Sequence, residues 1–460
     1  MDSSDLKQRT ILILGAGKTG IATARFLADK CKKVLLSESQ KSILPENQQS
    51  LLKLGIEIEL GKHSEEFIDK SDLIVISPGI SPQSEVVQKI SSRDLPLISD
   101  IELAKHYIKN PIIAVTGTNG KTTTTSLITH IINNSGKKAI SCGNIGKPLI
   151  ELVNEDISNI DYFVLEISSF QIYYSLNLSC EIAICMNITP DHLDWHGSFE
   201  HYLETKKKIF TQQKKDSWAI LNYNDRFLKS FNLSNNLFYF SSDISRIKDL
   251  EGFENFAYYK NNDLLVNYKN KTSTIINKSD LQIIGTHNIE NALASIAVSK
   301  IIDIKDTAIK SGLESFKGVE HRLEYIKNIN GKAFYNDSKA TNPEATIKAI
   351  EAFKDKQGRK ITLILGGRDK NTDLNEMVTL IKSFISEVIL YGEAKERFKK
   401  ELDNCNYNKT IIVNNLNEAV IVSSKLKNDI VLFSPACSSF DMFKNYEERG
   451  KLFKELVSKL

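Results

Sequence analysis

The chain has 460 residues, more than one hydrophobic core ordinarily serves, so several domains are expected. Its 60 Lys and Arg stand against 57 Asp and Glu, leaving +3, which excludes nucleic-acid binding through bulk charge; any anion must be held locally. Six cysteines without a CxxC pair argue against a disulfide framework or zinc ribbon, and no apolar stretch is long enough for membrane insertion, so a cytoplasmic globular protein is expected.

Three times the sequence restarts with a short apolar run that ends in glycine and leads into a helical pattern, as βα units do. The first run is Ile11 to Leu14, followed by Gly15-x-Gly17-x-x-Gly20, with Val34 to Leu36 and Leu73 to Ile76 as later strands and Glu38 closing the second. Such glycines let a pyrophosphate approach the backbone at a helix start, so a nucleotide-sugar diphosphate satisfies them as well as a dinucleotide; a plain helix-packing turn is the third reading. Ser77-Pro78-Gly79 ends the last of these strands.

The second restart is Ile112 to Val115, which enters Gly117-Thr118-Asn119-Gly120-Lys121-Thr122 and continues through Thr123 into a helix. Inward backbone N–H groups, a lysine for the outer phosphates and a hydroxyl for Mg²⁺ are what a phosphate loop needs, although Val115 stands where the general pattern has glycine. Downstream, Tyr162 to Leu165 ends at Glu166, and Ile182 to Met186 leads into a loop gathering Asp191, His192 and Asp194. These groups serve either as Mg²⁺ ligands or as turn and capping residues. Tyr202 to Phe210, YLETKKKIF, reads as an exposed basic helix, and 222–279, rich in Asn, Lys and Ser, as small antiparallel strands or long loops. His287 to Asn291 opens a helix with Asn288 and Asn291 on one face, suited to reading a nucleobase edge or to capping.

The third restart, from about His321, contains Asn336 to Pro343, which packs carboxylate, hydroxyl, ammonium and amide into one loop. Gly366-Gly367-Arg368-Asp369-Lys370 and Ser434 to Ser439 follow further strands, so polar groups again collect at strand ends. The expected fold is α/β in three domains: an N-terminal Rossmann-like domain over 1–108, a central P-loop-like mononucleotide-binding ATPase domain over 109–318, and a C-terminal Rossmann-like domain over 319–460.

GTNGKT, Glu166 with SSFQ, DHLD, HNIEN, EHRLE, NDSKATNP, GGRDK and SPACSSFDMF occur in an order that closely resembles the Mur ligases of bacterial peptidoglycan synthesis, across nearly the whole chain. SPGI, NDSKATNP and SPACSSFD are similar to the D-glutamate-adding branch of that family. The resemblance implies that ATP phosphorylates the alanyl carboxylate of UDP-N-acetylmuramoyl-L-alanine and that the amine of D-glutamate then attacks the acyl phosphate. It implies ATP contacts at Gly117, Thr118, Asn119, Gly120, Lys121, Thr122 and Thr123, with Asn288 and Asn291 toward adenine, Arg322 and Lys339 toward the phosphates and Asp337 toward the ribose.

The same resemblance implies two Mg²⁺ sites, Thr122 and Glu166 at one and His192 at the other, with Lys206 as a metal ligand after CO₂ turns it into a carbamate; Lys121, Glu166, His192 and Lys206 are its catalytic set. Lys18, Thr19, Ser77, Gly79 and Asn144 match positions for the UDP substrate, and Thr341, Lys370, Ser439, Phe440 and Tyr446 those for D-glutamate. A monomer with small-molecule partners is expected. The chain departs from the family where Ser37-Glu38-Ser39 replaces Asp-Thr-Arg and where Trp195-His196-Gly197 follows the histidine loop. A sister ligase, a folylpolyglutamate synthetase and a non-catalytic nucleotide-sugar-binding protein are the alternatives.

Overall fold

Short β-branched runs flanked by helices condense into three largely parallel sheets in the computed structural model, which describes residues 6–354, 358–369 and 372–460. Lys370, expected to hold D-glutamate, lies outside the described residues.

The first sheet comprises β1 (Thr10–Leu14), β2 (Lys33–Glu38), β3 (Glu57–Leu60), β4 (Leu73–Ile76) and β5 (Leu97–Ser99), in the order β3-β2-β1-β4-β5. All its pairings are parallel, and β1 and β4 are buried throughout, which is why both read as unbroken apolar runs rather than alternating ones. The helix Lys18–Leu27 comes so close to the end of β1 that a Cβ on Gly20 would lie 1.9 Å from the Gly15 carbonyl oxygen.

The second sheet holds β6 (Ile112–Thr116), β7 (Ala139–Gly143), β8 (Tyr162–Glu166), β9 (Ile182–Cys185), β10 (Trp218–Asn222), β11 (Asn236–Ser241), β12 (Phe256–Lys260), β13 (Asp263–Tyr268) and β14 (Lys271–Asn277). Its order is β14-β13-β12-β11-β10-β9-β6-β8-β7. The stretch read as small antiparallel strands or loops therefore extends the central sheet, first by β11 and β12 in parallel and then by antiparallel β13. β6 lies between β9 and β8, a reversal of strand order at whose carboxyl end open α/β sheets place their ligands.

The third sheet contains β15 (Glu324–Ile329), β16 (Lys332–Asn336), β17 (Ile361–Gly366), β18 (Glu387–Tyr391), β19 (Thr410–Ile412) and β20 (Ile430–Phe433), ordered β15-β16-β20-β17-β18-β19. Only the β15–β16 hairpin is antiparallel.

By compactness the chain forms two units: one runs to Ile276 and resumes over Glu290–Leu313, and the other takes in Asn277–Ile289 and Glu314–Leu460. The first two sheets merge because one apolar cluster runs through both, from Ile11 and Leu36 to Phe163 and Leu221. Hydrogen bonds also close their seam: Ser99 N donates to Tyr174 O at 2.9 Å, the Ser99 and Ser175 hydroxyls meet at 2.8 Å, and Tyr174 donates to Ile80 O at 3.0 Å.

In the second unit, buried Lys332 on β16 donates to the carbonyls of Ser423, Ser424 and Leu426 at 2.7, 2.7 and 2.6 Å, satisfying the orphan oxygens at the end of the helix Leu416–Lys425. Replacing it by methionine keeps the stem and strands those carbonyls. Lys332→Met is expected to destabilise the protein by about 2–3 kcal/mol in denaturant unfolding, in the transition that reports the second unit.

Candidate active site

Strand β6 delivers the chain into a loop whose conformation only glycine supports: Gly117 has φ 140° and Gly120 φ 85°, both in the left-handed half of the map. There is no room for a side chain either, because a Cβ on Gly117 would lie 3.0 Å from Met186 Cβ and one on Gly120 would lie 2.7 Å from Asn291 Oδ1. The turn starts the helix Lys121–Asn134, and Gly120 supplies no capping side chain, which leaves the helix N-terminus able to face an anion.

Lys121 arches back over this turn, donating to the carbonyls of Gly117 and Thr118 at 2.9 Å each. The loop is braced by the segment after β9: Thr118 N donates to Asn187 O at 2.9 Å and Asn119 N to Asn187 Oδ1 at 2.8 Å. The Thr118 hydroxyl meets the Tyr202 hydroxyl at 2.9 Å. Thr122, in the first turn of the helix, is buried.

Glu166 ends β8 and is 2% exposed; its Oε1 accepts from Asn144 Nδ2 at 2.9 Å, while the buried Oε2 has no hydrogen-bond partner. A buried carboxylate oxygen left unpaired is costly, and a cation would satisfy it. Among the described residues no three His, Cys, Asp or Glu side chains gather into a metal cage. Few protein ligands is what Mg²⁺ requires, since it keeps waters and takes phosphate oxygens, so Glu166 and the Thr122 hydroxyl fit that ion.

The helix Phe199–Thr211 corrects the expectation of an exposed basic helix. Tyr202, Thr205, Lys206, Ile209 and Phe210 are buried, at spacings of three, four, seven and eight that define one helical face. Of the three successive lysines only Lys206 is fully enclosed, at 2% exposure. Its Nζ donates to Thr116 Oγ1 at 3.2 Å and to Gly117 O at 3.0 Å, beneath the phosphate loop. Lys207 instead approaches Glu204, and Lys208 lies over the Tyr173 ring. Burial, reinforced by the charge of Lys121, pulls Lys206 down from 10.5 to about 7. A large share is then neutral amine near pH 7, the form that reacts with CO₂.

His192 adopts a left-handed conformation with φ 53° and stands half exposed beside Asp191, 3.5 Å between Nε2 and Oδ2. His196, part of the departure from the family pattern, is buried between Ser169 Oγ at 2.9 Å and His201 Nδ1 at 3.0 Å. Burial and then the His201 and Lys206 charges push it down to about 4, so it is neutral at neutral pH.

In the N-terminal glycine loop, a Cβ on Gly17 would meet nothing within 4 Å, so no protein neighbour requires glycine there and the backbone is open on that side. Ser77 donates to Gly15 O at 3.3 Å, and Lys18 Nζ donates to Gly146 O on the loop beyond Asn144. The Thr19 carbonyl accepts from Thr23 Oγ1 at 2.9 Å, and Gly79 lies in the turn after β4. Glu38 accepts from Ala16 N at 2.6 Å, so this carboxylate braces the glycine turn itself.

Asn291 Oδ1 accepts from Thr124 Oγ1 at 3.0 Å, which sets this residue against the phosphate-loop helix. Asn288 bonds back to Ile284 O at 2.6 Å. In the second unit, Asp337 is buried, with Oδ2 accepting from Ser434 Oγ at 2.7 Å and Oδ1 from Leu323 N at 3.2 Å. Burial raises its carboxyl to about 7. Arg322 lies in the turn before β15, and Lys339, whose backbone N donates to His321 O at 3.0 Å, has Nζ 5.6 Å from the Tyr446 ring centroid. Thr341 is half-buried, Ser439 buried and Phe440 63% exposed.

Arg449 was not singled out by sequence, yet it is wholly buried and ties two of the expected motifs together. Its Nε and Nη2 donate to Ser338 Oγ and O at 3.0 and 2.7 Å, and Nη1 donates to Cys437 O at 3.0 Å. An arginine in YEERG, among other charged residues, carries no local signal of burial. Asn187 was likewise visible only as one polar residue in a loop.

Residues 9–99 match the Mur ligase MurD-like N-terminal domain, 115–299 the Mur ligase middle domain and 321–437 the Mur ligase glutamate ligase domain. The chain is 40% identical to the UDP-N-acetylmuramoylalanine--D-glutamate ligase of Thermoanaerobacter sp. (strain X514) and 41% identical to that of Caldanaerobacter subterraneus subsp. tengcongensis, in each case over 99% of both chains. The crystal structure of the MurF ligase of Thermotoga maritima in complex with ADP shares its fold, with a TM-score of 0.57 and 16% identity over 100% of this chain and 97% of that one. With domains of one family matched in order from end to end, the chain belongs to the Mur ligase family.

Proposed function

We propose that the chain is an ATP-dependent ligase that joins D-glutamate to UDP-N-acetylmuramoyl-L-alanine, a cytoplasmic step of peptidoglycan synthesis. The observation that carries this reading is the convergence of Lys121 and Lys206 on the Gly117 carbonyl, with Glu166 ending the neighbouring strand β8, together with the full-length likeness to D-glutamate ligases.

In the first step an oxygen of the alanyl carboxylate attacks the γ-phosphorus of ATP, the P–O bond to ADP breaks, and an acyl phosphate forms. Carboxylate and triphosphate repel one another, so the backbone N–H groups of 117–123 and the Lys121 ammonium act by neutralising the oxygens that gather charge. Mg²⁺, when bound, would supply positive charge that screens the phosphate oxygens; Thr122, Glu166, His192 and the carbamate of Lys206 would hold it. Asn288 and Asn291 face the adenine, Arg322 and Lys339 the phosphates, and Asp337 the ribose. In the second step the neutral amine of D-glutamate attacks the acyl carbon, loses a proton as the amide forms, and inorganic phosphate leaves.

Gly17 and Gly79 leave the backbone open to the UDP pyrophosphate, with Lys18, Thr19 and Ser77 beside them, and Asn144 stands near the reacting end. Thr341, Lys370 and Ser439, with the backbone at Phe440 and Tyr446, take the carboxylates of D-glutamate. Lys206 serves as the carbamate because it is the lysine of its run whose burial keeps the amine neutral.

Purified protein is expected to release phosphate from ATP only when both UDP-N-acetylmuramoyl-L-alanine and D-glutamate are supplied; turnover indifferent to D-glutamate refutes the assignment. Lys206→Ala is expected to lose about 10²-fold or more in kcat and to regain part of it with short-chain carboxylic acids, whereas Lys207→Ala and Lys208→Ala stay within about twofold of the parent. A fully active Lys206→Ala protein would remove the carbamate from the mechanism.

A further inference from the structure

Glu290 sits in the HNIEN motif, and none of the roles above uses it. Its Oε1 accepts two hydrogen bonds, from Asn224 Nδ2 and from Ser242 Oγ, each at 2.9 Å. These donors follow β10 and β11, and Asn224 Nδ2 also reaches Ser242 Oγ at 2.9 Å. The carboxylate is thereby turned toward the strand ends, while the next residue, Asn291, lies against Gly120 and Thr124 of the phosphate loop and its helix.

Followed further, the contacts close on themselves. Asn224 N donates to Asn222 Oδ1 at 2.9 Å, Asn222 Nδ2 donates to Met186 O at 2.9 Å, and Met186 N donates to Thr116 O at 3.0 Å. Met186 is also the neighbour a Cβ on Gly117 would strike. The circuit runs from the phosphate loop through Asn291 and Glu290 to the end of β10 and back through Met186 to the loop. Glu290 is its one charged member, and it links the helix side of the circuit to Asn224 and Ser242 on the sheet side.

We propose that Glu290 is a positioning residue for the nucleotide: by anchoring the start of the helix Thr286–Ile301 to the ends of β10 and β11, it holds Asn291 against Gly120 and keeps the phosphate loop in its binding shape. This rests on reading 117–122 as the nucleotide site. Without the two donors, the carboxylate is free to swing toward a loop meant for phosphate, so loss of the anchor and a misplaced anion act in the same direction. A glutamine retains the accepting oxygen and removes the charge.

Titration of the full-length protein with ADP and Mg²⁺ by calorimetry, alongside steady-state kinetics, tests this. Glu290→Ala and Asn224→Ala are each expected to weaken ADP binding and raise the KM for ATP about three- to tenfold, with kcat and the KM for D-glutamate within about twofold of the parent. Glu290→Gln is expected to bind ADP within about twofold of the parent. Parent protein that binds ADP while both alanine variants bind equally well overturns the role of Glu290 alone. So does a Glu290→Gln protein as weak as Glu290→Ala, or an equal rise in the KM of every substrate. Parent protein that binds no ADP overturns the reading of the loop itself. If Glu290→Ala is insoluble, Asn224→Ala and Glu290→Gln decide.

Discussion

The Gly117 carbonyl oxygen accepts from two lysine side chains at once, Lys121 at 2.9 Å and Lys206 at 3.0 Å, and much of the site follows from that shared acceptor. Two cations so placed repel each other, and one of them is fully buried. Burial, with the Lys121 charge adding to it, disfavours the charged form of Lys206 and lowers it to about 7. An anion such as a phosphate relieves the repulsion further. The glycine turn, the uncapped helix and the orphan oxygen of Glu166 form an electrostatic arrangement suited to an anion and a cation.

That arrangement must be rigid, because catalysis by positioned charge is lost when the charges wander. The loop is braced from below by Lys206, from one side by Asn187 and Tyr202, and from the other by Asn291. The continuous core joining the first two sheets extends this rigidity to the N-terminal glycine loop, where Lys18 reaches Gly146 across the seam. Both glycine loops thus belong to one compact unit of this Mur ligase.

The sequence was most legible where backbone chemistry dictates residue type. Gly117 and Gly120 need left-handed φ values, Gly20 stands where no Cβ fits, and the unbroken apolar runs of β1, β4 and β6 announce parallel strands buried on both faces. It was least legible where a polar residue changes meaning on burial. KKK in the helix Phe199–Thr211 looks like a solvated run, although the positions of Tyr202, Thr205, Ile209 and Phe210 mark the face on which Lys206 lies. Glu38, which could equally have faced a ribose, turns inward to Ala16 N.

By itself the sequence determined three α/β sheets, the loops at their carboxyl ends and the polar residues those loops carry, because strands, glycine turns and helix starts are specified by neighbours along the chain. Only the tertiary structure decided which lysine is buried, which carboxylate oxygen is left for a cation, and that the first two sheets share a core. It alone showed that Arg449 and Glu290 hold loops far apart in sequence. Burial and hydrogen-bond partnership are set by residues tens to hundreds of positions away, and a local pattern marks at most the face on which a residue lies.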